Sequence, residues 1–254
     1  MEETKEAQKE PAQTEQVQVQ AQEVQQQENK YQQYDFKTNL GKRVKAGEIK
    51  NIDEVLRTNV KILEDRIVDY LMPNLQTGFL FIGQSKGKLG GGKRRIIRNT
   101  QKVTAEGKRQ RFSAMAVVGD ENGHIGIGKG SGLESVIAKE KAVKKAKLNL
   151  IHIKIGCGSW ECACKTQHSI PFKVTGKSGS VIVTLMPAPK GIGFAAADDI
   201  KTILKLAGLK DVWSKVEGHT GTRINLGYAT FKALKALNLY RYSENERSSL
   251  GLEA

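Results

Sequence analysis

No run of apolar residues in this 254-residue chain approaches the ~18 that a membrane-spanning helix requires. The N-terminus also lacks an apolar segment followed by a small-residue cleavage site, so no secretory signal is read there and the chain is expected in the cytoplasm. Cysteine is scarce. The three present are crowded between positions 157 and 164, an odd number and a spacing that exclude a disulfide framework. The four histidines form no catalytic constellation: His124 falls in an expected turn, His152 in an expected strand and His219 in a glycine-rich loop. Asp198 and Asp199 read as acids favoured at a helix N-terminus, not as a catalytic dyad. The pattern is that of a protein that is not an enzyme.

Negative charge is also in deficit, with 27 acidic against 41 basic residues and a net charge of +14. The shortage is uneven. Residues 1–36 hold eight acids against three lysines, net −5, which leaves +19 on the remainder. A body this basic repels itself and suits a polyanion, because each neutralised phosphate releases a condensed counterion. Nucleic acid is the first partner class and an anionic membrane surface the second. The Gln- and Glu-rich stretch over residues 1–36 has too few apolar residues to offset backbone entropy and reads as a disordered tail.

Order is expected from near Thr38. Apolar spacing from Ile52 to Leu71, stopped by Pro73, predicts one helix with Val55, Val60, Ile62, Leu63, Ile67 and Val68 on its apolar positions. Gly83 to Gly92 is too glycine-rich for regular structure. Strands are expected over Arg95–Thr104 and Phe112–Val118, then a turn at Asp120-Glu121-Asn122-Gly123 and a strand where Ile125 and Ile127 alternate with glycine. Glu134–Leu150 predicts a helix with Val136, Ile137, Val143, Ala146 and Leu150 inward. The second half predicts strands at 151–155, 169–175, 180–186 and 212–216, and helices at 198–207 and 222–237, the last with Ile224, Leu226, Phe231, Leu234 and Leu237 inward.

The densest feature is the run Lys86, Lys88, Lys93, Arg94, Arg95, Arg98, Lys102, Lys108, Arg109 and Arg111 against the single acid Glu106. A solvated face normally mixes signs, so this run points to RNA or DNA phosphates, which the planar arginine fork grips bidentately. Two nucleotide-like motifs fail. Gly87-Lys88-Leu89-Gly90-Gly91-Gly92-Lys93 begins as a phosphate-binding loop, but Arg94 stands where a magnesium-binding Ser or Thr is needed. Gly191-Ile192-Gly193-Phe194-Ala195-Ala196 resembles a dinucleotide fingerprint but lacks the βαβ unit with a ribose-binding acid. It reads better as a turn in which Lys190, Gly191 and Gly193 meet an RNA phosphate through backbone N–H groups. Finally, Cys157, Cys162, Cys164 and His168 form a C-x4-C-x-C-x3-H run that could close a tetrahedral structural zinc site. Without the usual C-x2-C knuckle, the alternative is reduced cysteines packing a loop around Trp160.

The run Gly107-Lys108-Arg109-Gln110-Arg111-Phe112-Ser113-Ala114, continued by Val117-Val118-Gly119-Asp120 and Gly123-His124-Ile125-Gly126-Ile127-Gly128, resembles the signature of the universal small-subunit ribosomal protein five family. Pro171-Phe172-Lys173-Val174-Thr175-Gly176-Lys177, Leu185-Met186-Pro187-Ala188-Pro189-Lys190-Gly191 and Tyr228-Ala229-Thr230-Phe231 extend the likeness over residues 37–238. The cysteine segment resembles the archaeal branch. The resemblance implies an α+β chain in four parts. They are a tail over 1–36, a double-stranded-RNA-binding-like α-β-β-β-α domain over 37–150, an α/β domain with a left-handed βαβ crossover over 151–240, and a flexible tail over 241–254. It implies binding to small-subunit rRNA through the hairpin side chains Arg98, Lys102, Lys108, Arg109 and Arg111, to which the charge run itself adds Lys93, Arg94 and Arg95 and the glycine turn adds Lys190, Gly191 and Gly193. It also implies small-subunit proteins four, eight and, in places, three as neighbours, together with mRNA where it enters the subunit, and an influence on decoding accuracy. The basic Gly83–Arg95 segment and the acidic tail depart from the family pattern. Two rivals from other classes are a free-standing double-stranded-RNA regulator and an ATP-using enzyme built on the C-terminal domain.

Overall fold

The computed structural model describes residues 36–58, 60–85, 92, 94–162, 164 and 166–251. The expected acidic tail and most of the Gly87–Lys93 motif lie outside them. The chain divides into two compact units, residues 1–48 and 49–254. In the first, helix α1 (Asn39–Lys45) starts at Thr38, whose hydroxyl accepts from Gly41 N at 3.2 Å, and Phe36 packs directly on Gly41.

The second unit opens with two short helices, α2 (Ile52–Arg57) and α3 (Asp65–Leu71), where the sequence predicts one. Thr58 ends α2, its hydroxyl bonding back to Val55 O at 2.9 Å, and the β-branched Val60 and Ile62 that follow resist helix. Ile62 turns inward, whereas Val60 and Leu63, expected in the core, are exposed.

A five-stranded sheet follows: β1 (Gln76–Phe79), β2 (Arg98–Thr104), β3 (Gly107–Gly119), β4 (His124–Gly132) and β5 (Leu150–His152), with α4 (Ser135–Leu148) between the last two. The 13-residue β3 is the axis. Its C-terminal half pairs with β1, its N-terminal half with β2, and its other edge with β4, which in turn pairs with β5; all pairings are antiparallel. Strand alternation gives the sheet two unlike faces. On one, Met115, Val117, Ile125 and Ile127 join the main core. On the other, Ala114, Ala116 and Val118 meet Ala138, Ala142 and Ala146 of α4. The glycines of β4 explain that second layer. A Cβ on Gly126, Gly128 or Gly130 would stand 2.2–2.3 Å from α4 backbone atoms, so only an alanine face can sit there. The expected inward stripe is corrected at Val136 and Ile137, which are exposed, while Ala146 and Leu150 are buried as expected together with Ala138 and Ala142, and Val143 packs beside them.

The second sheet has the order β6 (Val174–Ser178), β7 (Val181–Pro187), β9 (Val212–Glu217), β8 (Phe194–Ala195). β8 and β9 are parallel and joined through helix α5 (Asp198–Leu206), which is the expected βαβ crossover. Helix α6 (Arg223–Ala236) lies on β6 so closely that a Cβ on Gly176 would fall 2.1 Å from Ala229 O. The sequence places a strand at 169–175, yet regular pairing begins only at Val174, and Ser169 forms a lone bridge with Gly156.

One apolar core joins the two sheets, running from Leu80, Met115 and Ile127 to Leu185, Ile203, Leu226 and Leu234. Beyond residue 240, where a flexible tail is expected, helix α7 (Glu244–Leu250) carries a capping box between Ser243 and Glu246 and ends at Gly251 in the left-handed region. Local capping and aromatic packing among Phe172, Tyr240 and Tyr242 supply what the tail's composition does not advertise. Among the described residues no helix is long and apolar enough to cross a membrane.

Candidate nucleic-acid interface and metal centre

β2 and the first part of β3 form a two-stranded ribbon, exposed on both faces from residue 98 to residue 111 except at Thr104. Its register opposes Arg98 to Ser113, Thr100 to Arg111, Lys102 to Arg109 and Val103 to Lys108. Opposed residues share a face and alternate residues return to it. Arg98, Lys102, Arg109 and Arg111 therefore lie on one face of the ribbon, about 13 Å apart on β2 and about 7 Å apart on β3. Lys108 lies on the other, opposite the exposed Val103. The lone acid, Glu106, sits at the ribbon tip and pairs with Arg109, while Arg111 donates from Nη2 to Ser131 Oγ at 3.0 Å. Among the described residues nothing apolar covers this face, so its charge is available to a polyanion.

Arg94 and Arg95 stand at the base of the ribbon. Arg94 bridges to Ser85, and Arg95 N donates to Gln84 O while its carbonyl accepts from Gly83 N at 2.8 Å. This pairing ties the ends of the glycine-rich loop together. Lys93 is outside the described residues.

Lys190, Gly191 and Gly193 come together as an exposed turn, and the two glycines have φ of +95° and +74°, which favour residues without a Cβ. Their backbone N–H groups do not face outward. Both donate to Asp211 Oδ1, at 3.1 and 2.7 Å. The expected phosphate cradle of glycine N–H groups is thus already filled by a carboxylate, and the Lys190 ammonium is what the turn offers to an anion.

The same Asp211 holds the cysteine segment. Its Oδ2 lies 3.0 Å from His168 Nδ1, and both residues are buried. A carboxylate only accepts, so Nδ1 carries the proton and the Nε2 lone pair points toward the sulfurs. Cys164 Sγ is 3.3 Å and Cys162 Sγ 3.9 Å from Nε2, and with Cys157 all four donor atoms lie within 4.8 Å of one another. A tetrahedral zinc with Zn–S of ~2.3 Å and Zn–N of ~2.0 Å needs donor separations of about 3.5–3.8 Å, so the set fits. The local fold builds this geometry. Gly156 and Ser169 exchange backbone hydrogen bonds, and Cys157 N donates to Leu250 O at the end of α7. Gly158 passes so close to Pro171 that a Cβ would meet its carbonyl at 1.8 Å. Thr166 donates to Cys164 Sγ at 3.1 Å, and its hydroxyl and backbone N–H hold that thiol down to about 6; burial pushes Cys157 up to about 11. Trp160 is 89% exposed, so the loop is not packed around it.

Asp211 is the residue that sequence reasoning missed, since it lies 43 positions from His168 and no spacing rule links them. Asp199 is a second. Buried at the start of α5, it accepts from Phe81 N at 3.0 Å and from Arg223 at 3.2 Å, joining the two sheets electrostatically.

Comparison with known proteins agrees with this architecture. Residues 96–154 match the family model "Ribosomal protein S5, N-terminal domain", and residues 176–247 match "Ribosomal protein S5, C-terminal domain". Small ribosomal subunit protein uS5 of Nanoarchaeum equitans is 50% identical over 210 residues, covering 83% of this chain and 90% of that protein. The uS5 of Methanocaldococcus jannaschii is 44% identical over 220 residues, covering 87% and 94%, and that of Aeropyrum pernix is 46% identical over 206 residues, covering 81% and 87%. The chain belongs to the small ribosomal subunit protein uS5 family, a family of structural ribosomal proteins and not of enzymes.

Proposed function

We propose that this protein binds small-subunit rRNA through the basic face of the β2–β3 ribbon and so helps to build the small ribosomal subunit. The observation that carries this reading is the register that gathers Arg98, Lys102, Arg109 and Arg111 on one exposed face, with no apolar neighbour above it among the described residues. Arg94 and Arg95 at the ribbon base, Lys108 on its reverse and Lys190 at the turn of the second sheet extend the contact, and Lys93, outside the described residues, adds its charge to the same run. Gly191 and Gly193 act there by shaping the turn. Recognition is of RNA shape and backbone, because a two-stranded ribbon of Lys and Arg meets phosphates and 2′-hydroxyls more readily than base edges in a deep A-form groove. In this reading the bound protein neighbours small-subunit proteins four and eight and, in places, three, lies where mRNA enters, supports the decoding region and influences translational accuracy. Its working place is the ribosome in the cytoplasm.

In this reading Cys157, Cys162, Cys164 and His168 hold a structural zinc, which fixes the 157–168 loop against α7 and, through Asp211, the Lys190 turn. The test of the RNA reading is a filter-binding titration of small-subunit rRNA against salt. Replacing Arg98, Lys102, Arg109 and Arg111 together by alanine should lower the slope of log affinity against log salt by about 3 units. An unchanged slope and affinity would remove the ribbon from the interface.

A further inference from the structure

The first sheet carries a group of side chains that the RNA-binding reading does not use. His124 opens β4 and His152 closes β5, and the antiparallel register places them directly opposite one another, with ring centroids 4.9 Å apart. Asp53, in the first turn of α2, reaches the same point. Three atoms converge there. Asp53 Oδ1 is 2.9 Å from His124 Nε2 and 3.5 Å from His152 Nδ1, and the two ring nitrogens are 3.4 Å apart. Behind them, Asp120 Oδ2 lies 2.7 Å from His124 Nδ1, while its Oδ1 accepts from His124 N and Asn122 N.

We propose that Asp53, His124 and His152 form a second metal centre, separate from the cysteine cluster, that takes a divalent transition cation such as zinc. Ligands at ~2.0–2.2 Å around a tetrahedral ion stand about 3.3–3.5 Å apart, which two of the three observed separations match and the third approaches. A single proton cannot serve the three atoms equally. Placed on His124 Nε2 it satisfies Asp53 but turns an N–H toward the His152 lone pair only at 3.4 Å, whereas a cation engages all three lone pairs at once. The Asp120–His124 pair is the carboxylate–imidazole arrangement that fixes a ligating histidine: Asp120 holds the proton on Nδ1, and Nε2, which without an ion donates to Asp53 Oδ1, turns its lone pair to the metal once that proton is displaced. Three protein donors leave the fourth position to water. Asp53 and His152 are each 41% exposed at the side chain, so an ion can enter from solvent. The bound ion would fasten α2, already seated by the buried Ile52 and Val55, to the edge of the sheet. Sequence spacing could not show the site, because its ligands come from positions 53, 124 and 152 and meet only through the β4–β5 register.

The test is a Co²⁺ titration of the metal-free full-length protein, followed by absorbance. We expect two equivalents to bind: one with near-ultraviolet sulfur-to-cobalt charge transfer from the cysteine cluster, and one with visible d–d bands and no charge transfer. His152→Ala should abolish the second and leave the first. Asp120→Asn should weaken the second about 10–100-fold. Loss only of the charge-transfer equivalent in wild type would sink the cysteine centre and leave this one standing. Saturation at one equivalent with the thiolate signature, or a second equivalent that survives both His152→Ala and Asp53→Asn in variants with native circular dichroism, would overturn the proposal.

Discussion

Asp211→Asn tests the wiring of the cysteine centre with the smallest change of shape. The wild-type carboxylate accepts from His168 Nδ1, Gly191 N and Gly193 N at 3.0, 3.1 and 2.7 Å, inside a pocket where Asp211 is 4% exposed. Asparagine can still offer one oxygen to the two glycines, but its NH2 must then face His168. That donor requires Nδ1 to accept, which moves the imidazole proton to Nε2 and blocks the nitrogen turned toward the cysteines. All three charge-assisted bonds become neutral ones, the one to His168 with donor and acceptor exchanged, which amounts to about 2–4 kcal/mol of folding free energy. Zinc affinity should fall about 10–100-fold, the usual cost of disturbing a carboxylate partner behind a ligating histidine. The assay is competition for zinc with a chromophoric chelator, alongside urea denaturation with and without added zinc. Zinc affinity within about threefold of wild type would refute the reasoning, because it would show that Asp211 does not set the His168 tautomer.

Four further outcomes follow from the geometry. Lys102→Ala should weaken rRNA binding and lower the salt slope by about 1 unit, whereas Lys108→Ala on the opposite face should do clearly less; equal effects in filter binding would contradict the single-face interface. Gly128→Ala drives a Cβ to 2.3 Å from Ala146 N and should destabilise the protein by about 2–4 kcal/mol in urea denaturation, since backbone must shift to relieve it. Asp199→Ala leaves Phe81 N–H and the Arg223 guanidinium without their carboxylate and should cost about 2–4 kcal/mol, while Asp198→Ala, at an exposed position, should stay within ~0.5 kcal/mol in the same assay. Ser243→Ala removes the capping box of α7 and should speed amide exchange in residues 244–250 by the equivalent of about 1 kcal/mol, with the two sheets unaffected.

What could be read in advance follows the range of the interactions involved. The β3–β4 hairpin was legible because its signals are local: Asp120 caps its own turn, Gly123 takes φ of +95°, and the apolar residues alternate on both sides. The basic ribbon was legible as a charge excess, yet only the register shows that Lys108 faces away from Arg98, Lys102, Arg109 and Arg111. The cysteine cluster was visible as spacing, but its proton-setting partner Asp211 arrives from the segment just before β9. The break between α2 and α3 was hidden because Val60 and Leu63 keep a helical apolar period while facing solvent. In α4 the period misled for the opposite reason: the glycine row of β4 admits only alanines, so the larger apolar residues were displaced outward. In α4 tertiary packing overrode a local preference of a few tenths of a kcal/mol per residue.

The most direct test of the central claim is the sedimentation of the tagged protein from a cell lysate through gradients at low and high salt. The account predicts co-migration with small ribosomal subunits that survives moderately high salt in wild type and is lost when Arg98, Lys102, Arg109 and Arg111 are all alanine. A wild-type protein that stays at the top of the gradient in both salts would contradict it and favour a free-standing RNA-binding protein.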